Sequence, residues 1–483
     1  MEYILTPEEA LLPRINGAKV IGVRPGRPVL HRIPVTGEAP VSIRMDKAVE
    51  GLSIDSSTGI ITGTVSAEGQ YSVEITAVNI HGEDRKRFTV IAGKNIALTP
   101  PMGWNSWNCW GKNINEEKVR EAAEYMVKSG LAKHGWSYIN IDDGWQGERD
   151  RTTGSLLPNE KFKDMKALCD YIHSLGLKVG IYSTPWKVSY AGFSGGSSDS
   201  PDRTLAEENG DKFGKYSFHQ QDVKQWCEWG IDYLKYDWYP IDADNTRVMS
   251  RELRNSGRDI ILSLSNSAPY EMAEEWRDLS ECWRTTGDII DTWDVTEHEW
   301  EHSVREIGFS QEKWAAYAGP GHWNDADMLA VGVLGWGGEL RETRLTADEQ
   351  YLHISLWALL ASPLLIGCDL SRLDAFTRNL LTNDEILEVN QDALGCQARK
   401  IHAKGPVEYW MKPLEDGSCA LGIFNLDERD SGAINVRLEE LKLKGRYKVR
   451  DLWRQKDIGA FEKTFSVSIA KHGVIMLKLT KND

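Results

Sequence analysis

At 483 residues the chain is too long for one ordinary hydrophobic core, so two or three domains are expected. A formal net charge of -15, on a chain that is 27% charged and 41% hydrophobic, argues against nucleic acid or a membrane as a partner. No apolar run approaches the roughly 18 residues of a membrane span, and the seven scattered cysteines show neither metal-ligand spacing nor a disulfide framework. The opening Met1-Glu2-Tyr3 has no basic segment followed by an apolar stretch, so no signal peptide is visible. The expected address is the periplasm or the outside, with the signal absent from this chain; the cytosol is the alternative.

Residues 1–95 read as all-β. Runs at 41–45, 60–64 and 71–77 alternate apolar and polar positions, and Asp55-Ser-Ser-Thr-Gly59 supplies a turn between two of them. Thr99-Pro-Pro-Met102 then breaks the pattern, and beyond it the period becomes helical. Asn115 can cap a helix whose apolar face carries Val119, Ala122, Ala123, Met126 and Val127, with Gly130 as its stop. Tyr138-Ile-Asn-Ile-Asp142 follows as a buried strand. The unit recurs: helical runs ending at Gly176, Gly230 and Gly257 precede apolar strands at 177–182, 231–236 and 259–264. Helix, glycine stop and strand in succession argue for βα units feeding a parallel sheet. Alternating runs return at 420–424, 433–437, 447–450 and 473–477. The expected fold class is therefore α/β: a (β/α)8 TIM barrel at 96–397, an N-terminal β-sandwich at 1–95 and a C-terminal antiparallel β-domain at 398–483. On pattern alone, an open doubly wound sheet is the alternative.

Polar groups end these strands: Asp142 and Asp143, Tyr182, Asp237, Ser265. In a closed barrel such ends share one mouth, where active sites lie. Cleaving a glycosidic bond needs two carboxyl groups flanking the anomeric carbon, and this mouth offers Asp142, Asp143, Asp237, Asp288, Asp325 and Asp327. Lys235-Tyr-Asp237 sets a cation and a carboxylate on one strand face, which would hold Asp237 ionised as a nucleophile must be. A buried structural ion pair is the bland alternative. Asp288 ends Trp283-Arg-Thr-Thr-Gly-Asp288, a mobile-loop position where a nearby carboxylate can raise its pKa and suit it to general-acid work. Trp323-Asn-Asp-Ala-Asp-Met328 and Asp242-Ala-Asp-Asn245 could suggest calcium or magnesium. Neither completes a ligand loop, so no metal and no other cofactor is assigned. Of the 19 tryptophans most are expected in the core, although their flat faces also suit sugars.

These segments, together with Pro101-Met-Gly-Trp-Asn-Ser-Trp107, Gly319-Pro-Gly-His322 and Asn390-Gln-Asp392, resemble glycoside hydrolase family 27. That family holds α-galactosidases and α-N-acetylgalactosaminidases, and the resemblance spans roughly residues 97 to 480. It implies a retaining exo-α-galactosidase that works without cofactor, by double displacement, on carbohydrate ending in an α-galactosyl-type sugar. By resemblance Asp237 is the nucleophile and Asp288 the acid/base. Trp107 stacks on the sugar, Asp142 and Asp143 grip its C4 and C6 side, Tyr182, Lys235, Arg284 and Asp327 bind it further, and Met328 lines the floor.

Three departures accompany the resemblance. Gly144, Tyr190 and Tyr239 stand where secretory members often carry cysteines, so those disulfides are absent and the rim is aromatic. After the fifth strand, a Glu and a bulky apolar residue crowd the 2-hydroxyl in the family's α-galactosidases, whereas Ser and Ala make room for an acetamido group in its N-acetylgalactosaminidases. An ungapped reading puts Ser265 and Ala268 at those positions, unless the loop shifts and Asn266 or Tyr270 refills the space. Galactose remains the expected sugar, with N-acetylgalactosamine and β-L-arabinopyranose as alternatives; a catalytically dead sugar-binding protein is the reading from another class. Finally, Gly51-Leu-Ser-Ile-Asp55 through Gly63-Thr64 to Tyr71 and Asn79 resembles the immunoglobulin-like modules appended to many bacterial carbohydrate enzymes.

Overall fold

The computed structural model describes residues 3–200 and 212–482. Eight short parallel strands form its centre: β1 (Met102–Asn105), β2 (Tyr138–Ile141), β3 (Lys178–Ser183), β4 (Tyr233–Asp237), β5 (Ile261–Ser265), β6 (Cys282–Arg284), β7 (Trp323–Asp325) and β8 (Leu364–Ile366). They lie in the order β7-β6-β5-β4-β3-β2-β1-β8. The ring closes where Leu329, just past β7, bridges in parallel to Ile366 and donates its N–H to the Leu365 carbonyl at 2.8 Å. Sequential order plus closure makes this a (β/α)8 barrel rather than an open sheet.

Helices α1 (Glu116–Lys128), α2 (Met165–Ser174), α3 (His219–Trp229), α4 (Ala243–Asn255), α5 (Ala273–Leu279), α6 (Val304–Phe309), α7 (Ala347–Leu359) and α8 (Ala375–Leu381) follow the strands in turn. Local chemistry sets their ends. The Asn115 side chain accepts from Lys118 N at 2.9 Å and Asp164 accepts from Ala167 N at 3.0 Å, satisfying amides that the first turn leaves unpaired. Gly130, Gly176 and Gly230 take φ of 91°, 73° and 92°, which only glycine adopts without strain. Gly257 differs from expectation: α4 is already ended by Ser256 in an extended conformation, so no left-handed stop is needed there.

Two β regions flank the barrel at different places. The N-terminal one stacks a four-stranded sheet on a three-stranded sheet around Ile33, Ile43, Ile61, Ile75, Phe88 and Val90. It seals the amino-terminal end of the barrel, away from the mouth. Arg24 Nε meets Asp259 Oδ1 at 2.6 Å and Arg32 Nη2 donates to the Leu175 carbonyl at 2.7 Å, both on segments that enter barrel strands. The C-terminal region carries a six-stranded antiparallel sheet. It packs on α7, whose residues from Glu349 to Leu359 are all buried. A helix wedged between barrel and sheet needs no polar face, which explains its lack of a helical apolar stripe.

Candidate active site

The carboxyl ends of the strands surround a cavity of about 940 Å³ lined by acidic, basic and aromatic side chains. Its floor is a charged lattice. Lys235 on β4 reaches Asp142, past the end of β2, with Nζ at 2.8 Å from Oδ2. The same oxygen accepts from Asn105 Nδ2 at 2.8 Å. Lys235 therefore hydrogen-bonds Asp142 and influences Asp237 only through space. Burial works against the lysine's charge, yet the two carboxylates outweigh it and raise its pKa.

Asp143 is buried beside Asp142. Oδ1 accepts from Ser189 Oγ at 2.8 Å and Gln146 Nε2 at 3.0 Å, and Oδ2 from Ala191 N at 2.9 Å. Burial still pushes its carboxyl up to about 6. Asp237 ends β4, buried, and its carboxyl is lifted to about 7 by burial first, with Asp288 and Asp142 adding to the lift and Lys235 and Arg284 opposing it. Lys235 favours the ionised form of Asp237 as expected, but removal from water is the larger effect and does not leave the carboxyl at its ordinary value. Tyr182 on β3 is buried against it, and burial plus the Asp237 charge keep its phenol protonated.

Asp288 also lines the cavity and is far more open, its side chain 45% exposed. It stands in a two-residue strand with Ile289, paired to Glu301–His302, and not in a mobile loop. Arg284 Nη2 touches Asp288 Oδ1 at 3.1 Å and Asp327 Oδ2 at 3.0 Å. Asp327 also accepts from Ile289 N at 2.8 Å, so one carboxylate ties the end of β7 to the segment bearing Asp288. Asp327 holds φ at 72°, a left-handed strain of the kind that gathers at working sites. Trp107 and Met328 complete the lining around these groups. Asp325, below, accepts from Asp327 N at 2.8 Å and does not line the cavity. Asp242, the other acidic motif, is the cap of α4, accepting from Asn245 N at 2.8 Å.

A pocket with cation-braced acidic groups and two carboxyl groups of contrasting exposure is suited to gripping a polyol and cleaving its acetal. Comparison with known proteins agrees. The family model described as "Alpha galactosidase A" matches residues 99–392, and "Alpha galactosidase C-terminal beta sandwich domain" matches 404–479. The chain belongs to glycoside hydrolase family 27. It is a glycoside hydrolase of the α-galactosidase type, and its substrate is carbohydrate. The "Putative Ig domain" model matches residues 48–92 of this family 27 enzyme. Alpha-galactosidase 2 of Arabidopsis thaliana is 37% identical over 425 residues, covering 85% of this chain and 96% of its own. The solved structure of a "putative alpha-galactosidase" from Bacteroides fragilis superposes with a TM-score of 0.88 at 32% identity, covering 99% of this chain and all of its own. A family 27 β-L-arabinopyranosidase from Geobacillus stearothermophilus gives 0.69 at 31%, covering 80% and 97%.

Two residues named from the sequence lie elsewhere in the enzyme. Ser265 faces a small space inside the barrel beneath the cavity, and Ala268 is buried behind the wall. The residues between them, Asn266 and Ser267, line the cavity instead. They do so because both adopt left-handed φ, 88° and 50°, so that Ser267 N and Ala268 N reach the carbonyls of Thr286 and Arg284 at 3.0 and 2.8 Å. Asn266 Nδ2 comes within 3.4 Å of Asp237 Oδ1 and 3.2 Å of Tyr190 Oη. Tyr190 and Tyr239 form part of the rim, and all seven cysteines are free. Trp300, Trp336, Arg341 and Arg344 also line the mouth and went unread in the sequence. The string Gly335-Trp-Gly-Gly338 was the available signal for one of them.

Proposed function

We propose that the enzyme is a retaining exo-α-galactosidase, with Asp237 as nucleophile and Asp288 as acid/base. The observation that carries this reading is that one cavity, lined also by the Asp142–Lys235 pair, holds two carboxyl groups of contrasting exposure, one buried and one open. Asp237 is buried at a strand end, where it can sit under an anomeric carbon. Asp288 is open to solvent, where a leaving group departs and a water enters, as the residue that donates and then removes a proton requires. The floor closes the cavity below, which supports attack on a chain end and not mid-chain.

Galactose is favoured over its 2-acetamido analogue because the Asn266 side chain stands beside Asp237, next to the carbon adjoining the anomeric centre. Asp143 at the cavity wall offers an acceptor for a 6-hydroxyl, which L-arabinopyranose lacks. The test is a panel of nitrophenyl α-galactoside, α-N-acetylgalactosaminide and β-L-arabinopyranoside. It is joined to NMR observation of the first-formed anomer and labelling by a 2-deoxy-2-fluoro galactosyl reagent. Highest kcat/KM on the galactoside, α-anomer first and label on Asp237 are expected; a label on another carboxylate, or β-galactose first, overturns the assignment.

A further inference from the structure

Asn266 reaches the cavity wall through a left-handed turn, and that turn fixes only its backbone. Ser267 N and Ala268 N are held by the Thr286 and Arg284 carbonyls, which leaves the carboxamide free to rotate about its own torsions. The side chain is restrained through Nδ2, by Asp237 Oδ1 at 3.4 Å and, more closely, by Tyr190 Oη at 3.2 Å. The first of these contacts changes as the reaction runs. In a double displacement Asp237 turns from carboxylate into ester, and an uncharged oxygen is a weaker acceptor than an ionised one. The Tyr190 hydroxyl takes no part in that change, so its hold on Asn266 lasts through both halves of the cycle.

Tyr190 is placed to hold still. It stands at the tip of a tight hairpin after β3, where Ser189 N donates to the Phe193 carbonyl at 2.8 Å and Gly192 N to the Ser189 carbonyl at 3.0 Å. The residues on either side of it clamp one buried carboxylate: Ser189 Oγ donates to Asp143 Oδ1 at 2.8 Å, and Ala191 N donates to Asp143 Oδ2 at 2.9 Å. Its ring packs on Trp186 with centroids 5.1 Å apart, while the side chain lines the cavity together with Asn266 and Asp237. Partial burial, and then the Asp237 charge, push the phenol's pKa up, so the hydroxyl keeps its proton. A neutral phenol oxygen can accept an amide N–H while holding that proton. The hairpin thus ties the Asp143 wall of the cavity to the side chain that stands over the nucleophile.

We infer that Tyr190 is a positioning residue: its hydroxyl keeps the Asn266 carboxamide beside Asp237, in the space a 2-acetamido group would need, and so makes the enzyme select a sugar with a plain 2-hydroxyl. This rests on the α-galactosidase reading above. The test reads the ratio of kcat/KM on nitrophenyl α-N-acetylgalactosaminide to that on nitrophenyl α-galactoside, in the parent, Tyr190→Phe, Asn266→Gly and the double variant. Phenylalanine keeps the packing on Trp186 and removes only the hydroxyl. Both rates come from one sample, so a smaller folded fraction cancels in the ratio. Tyr190→Phe should raise the ratio about threefold or more, the scale of one neutral hydrogen bond. In the Asn266→Gly background the same change should leave the ratio where it was, because the group it acts through is gone. A ratio unmoved in Tyr190→Phe overturns the positioning role. So does a ratio raised equally in both backgrounds, which would put Tyr190 itself against the 2-substituent. Neither result touches the α-galactosidase reading, which fails instead if the parent hydrolyses neither sugar or prefers the acetamido one.

Discussion

Asp237 carries a charge that burial disfavours, and Asp237→Asn should expose by how much. Burial lifts its carboxyl from 3.8 to about 7. Three pKa units correspond to at most about 4 kcal/mol against the ionised form. The sign follows from linkage. Below about pH 4 the carboxyl is protonated in both folded and unfolded chains, so it carries no penalty. Between about 4 and 7 the unfolded chain ionises first and stability falls as pH rises; above about 7 the whole penalty is present. The amide has no such charge, so Asp237→Asn should be more stable than the parent near pH 8, and the gap should close toward pH 4. Melting temperatures across this range, with the difference read at each pH, measure it. The same ionisation governs turnover, because a nucleophile must be charged. In the parent, kcat/KM on nitrophenyl α-galactoside should drop about tenfold per pH unit below about 7. If the variant gains nothing near pH 8 and the acid limb sits near pH 4, then Lys235 and the polar lattice compensate burial fully and the reasoning fails.

Three further outcomes are expected. Asp288→Ala should lose far more turnover on melibiose, whose leaving group needs a proton, than on nitrophenyl α-galactoside, where little protonation is needed; steady-state kinetics on both decide, and equal losses would point to a structural role. Asn266→Gly keeps the left-handed backbone and clears the space beside Asp237, so the ratio of kcat/KM on the 2-acetamido to the 2-hydroxy nitrophenyl sugar should rise at least tenfold, about 1.4 kcal/mol, and no change would place the 2-position elsewhere. A chain beginning near Asn95 should melt several degrees lower, having lost Arg24–Asp259 and the cover over the barrel's lower end, while a folded sample keeps kcat/KM on nitrophenyl α-galactoside within about threefold. A well-folded truncation without activity would mean that the module shapes the mouth.

The sequence exposed those parts of the structure that depend on short-range rules. Glycine's freedom at positive φ marked the ends of three helices, and strand alternation put Lys235 and Asp237 on one face. What it hid depended on contacts between separate segments. Spacing along β4 paired Lys235 with Asp237, but the lysine bonds to Asp142 beyond β2, two strands away around the ring. After β5 the shifted-loop reading, with Asn266 in the space, is the one the structure shows; asparagine tolerates the left-handed φ, whereas nothing in the residue type announced that Ser267 would share it. Trp336 was hidden among 19 tryptophans because residue type alone does not separate it from a core residue.

The segment after Asp288 is held from three directions. Asp327 accepts from Ile289 N, Asp291 accepts from Arg344 N at 2.8 Å, and Trp293 stacks on His472 of the C-terminal region with ring centroids 4.4 Å apart. His472 in turn bonds Glu349 Oε1 at 2.7 Å, in the first turn of α7. Barrel, mouth connection and C-terminal sheet thus fix one short stretch of backbone, while the Asp288 carboxyl at its head stays open. An acid/base group gains from that combination. Its position relative to Asp237 must not drift, because a small misplacement costs rate steeply, yet it must exchange protons with incoming water. In the proposed mechanism the C-terminal region, distant in sequence and contributing no cavity-lining residue, would serve the chemistry by holding that stretch still.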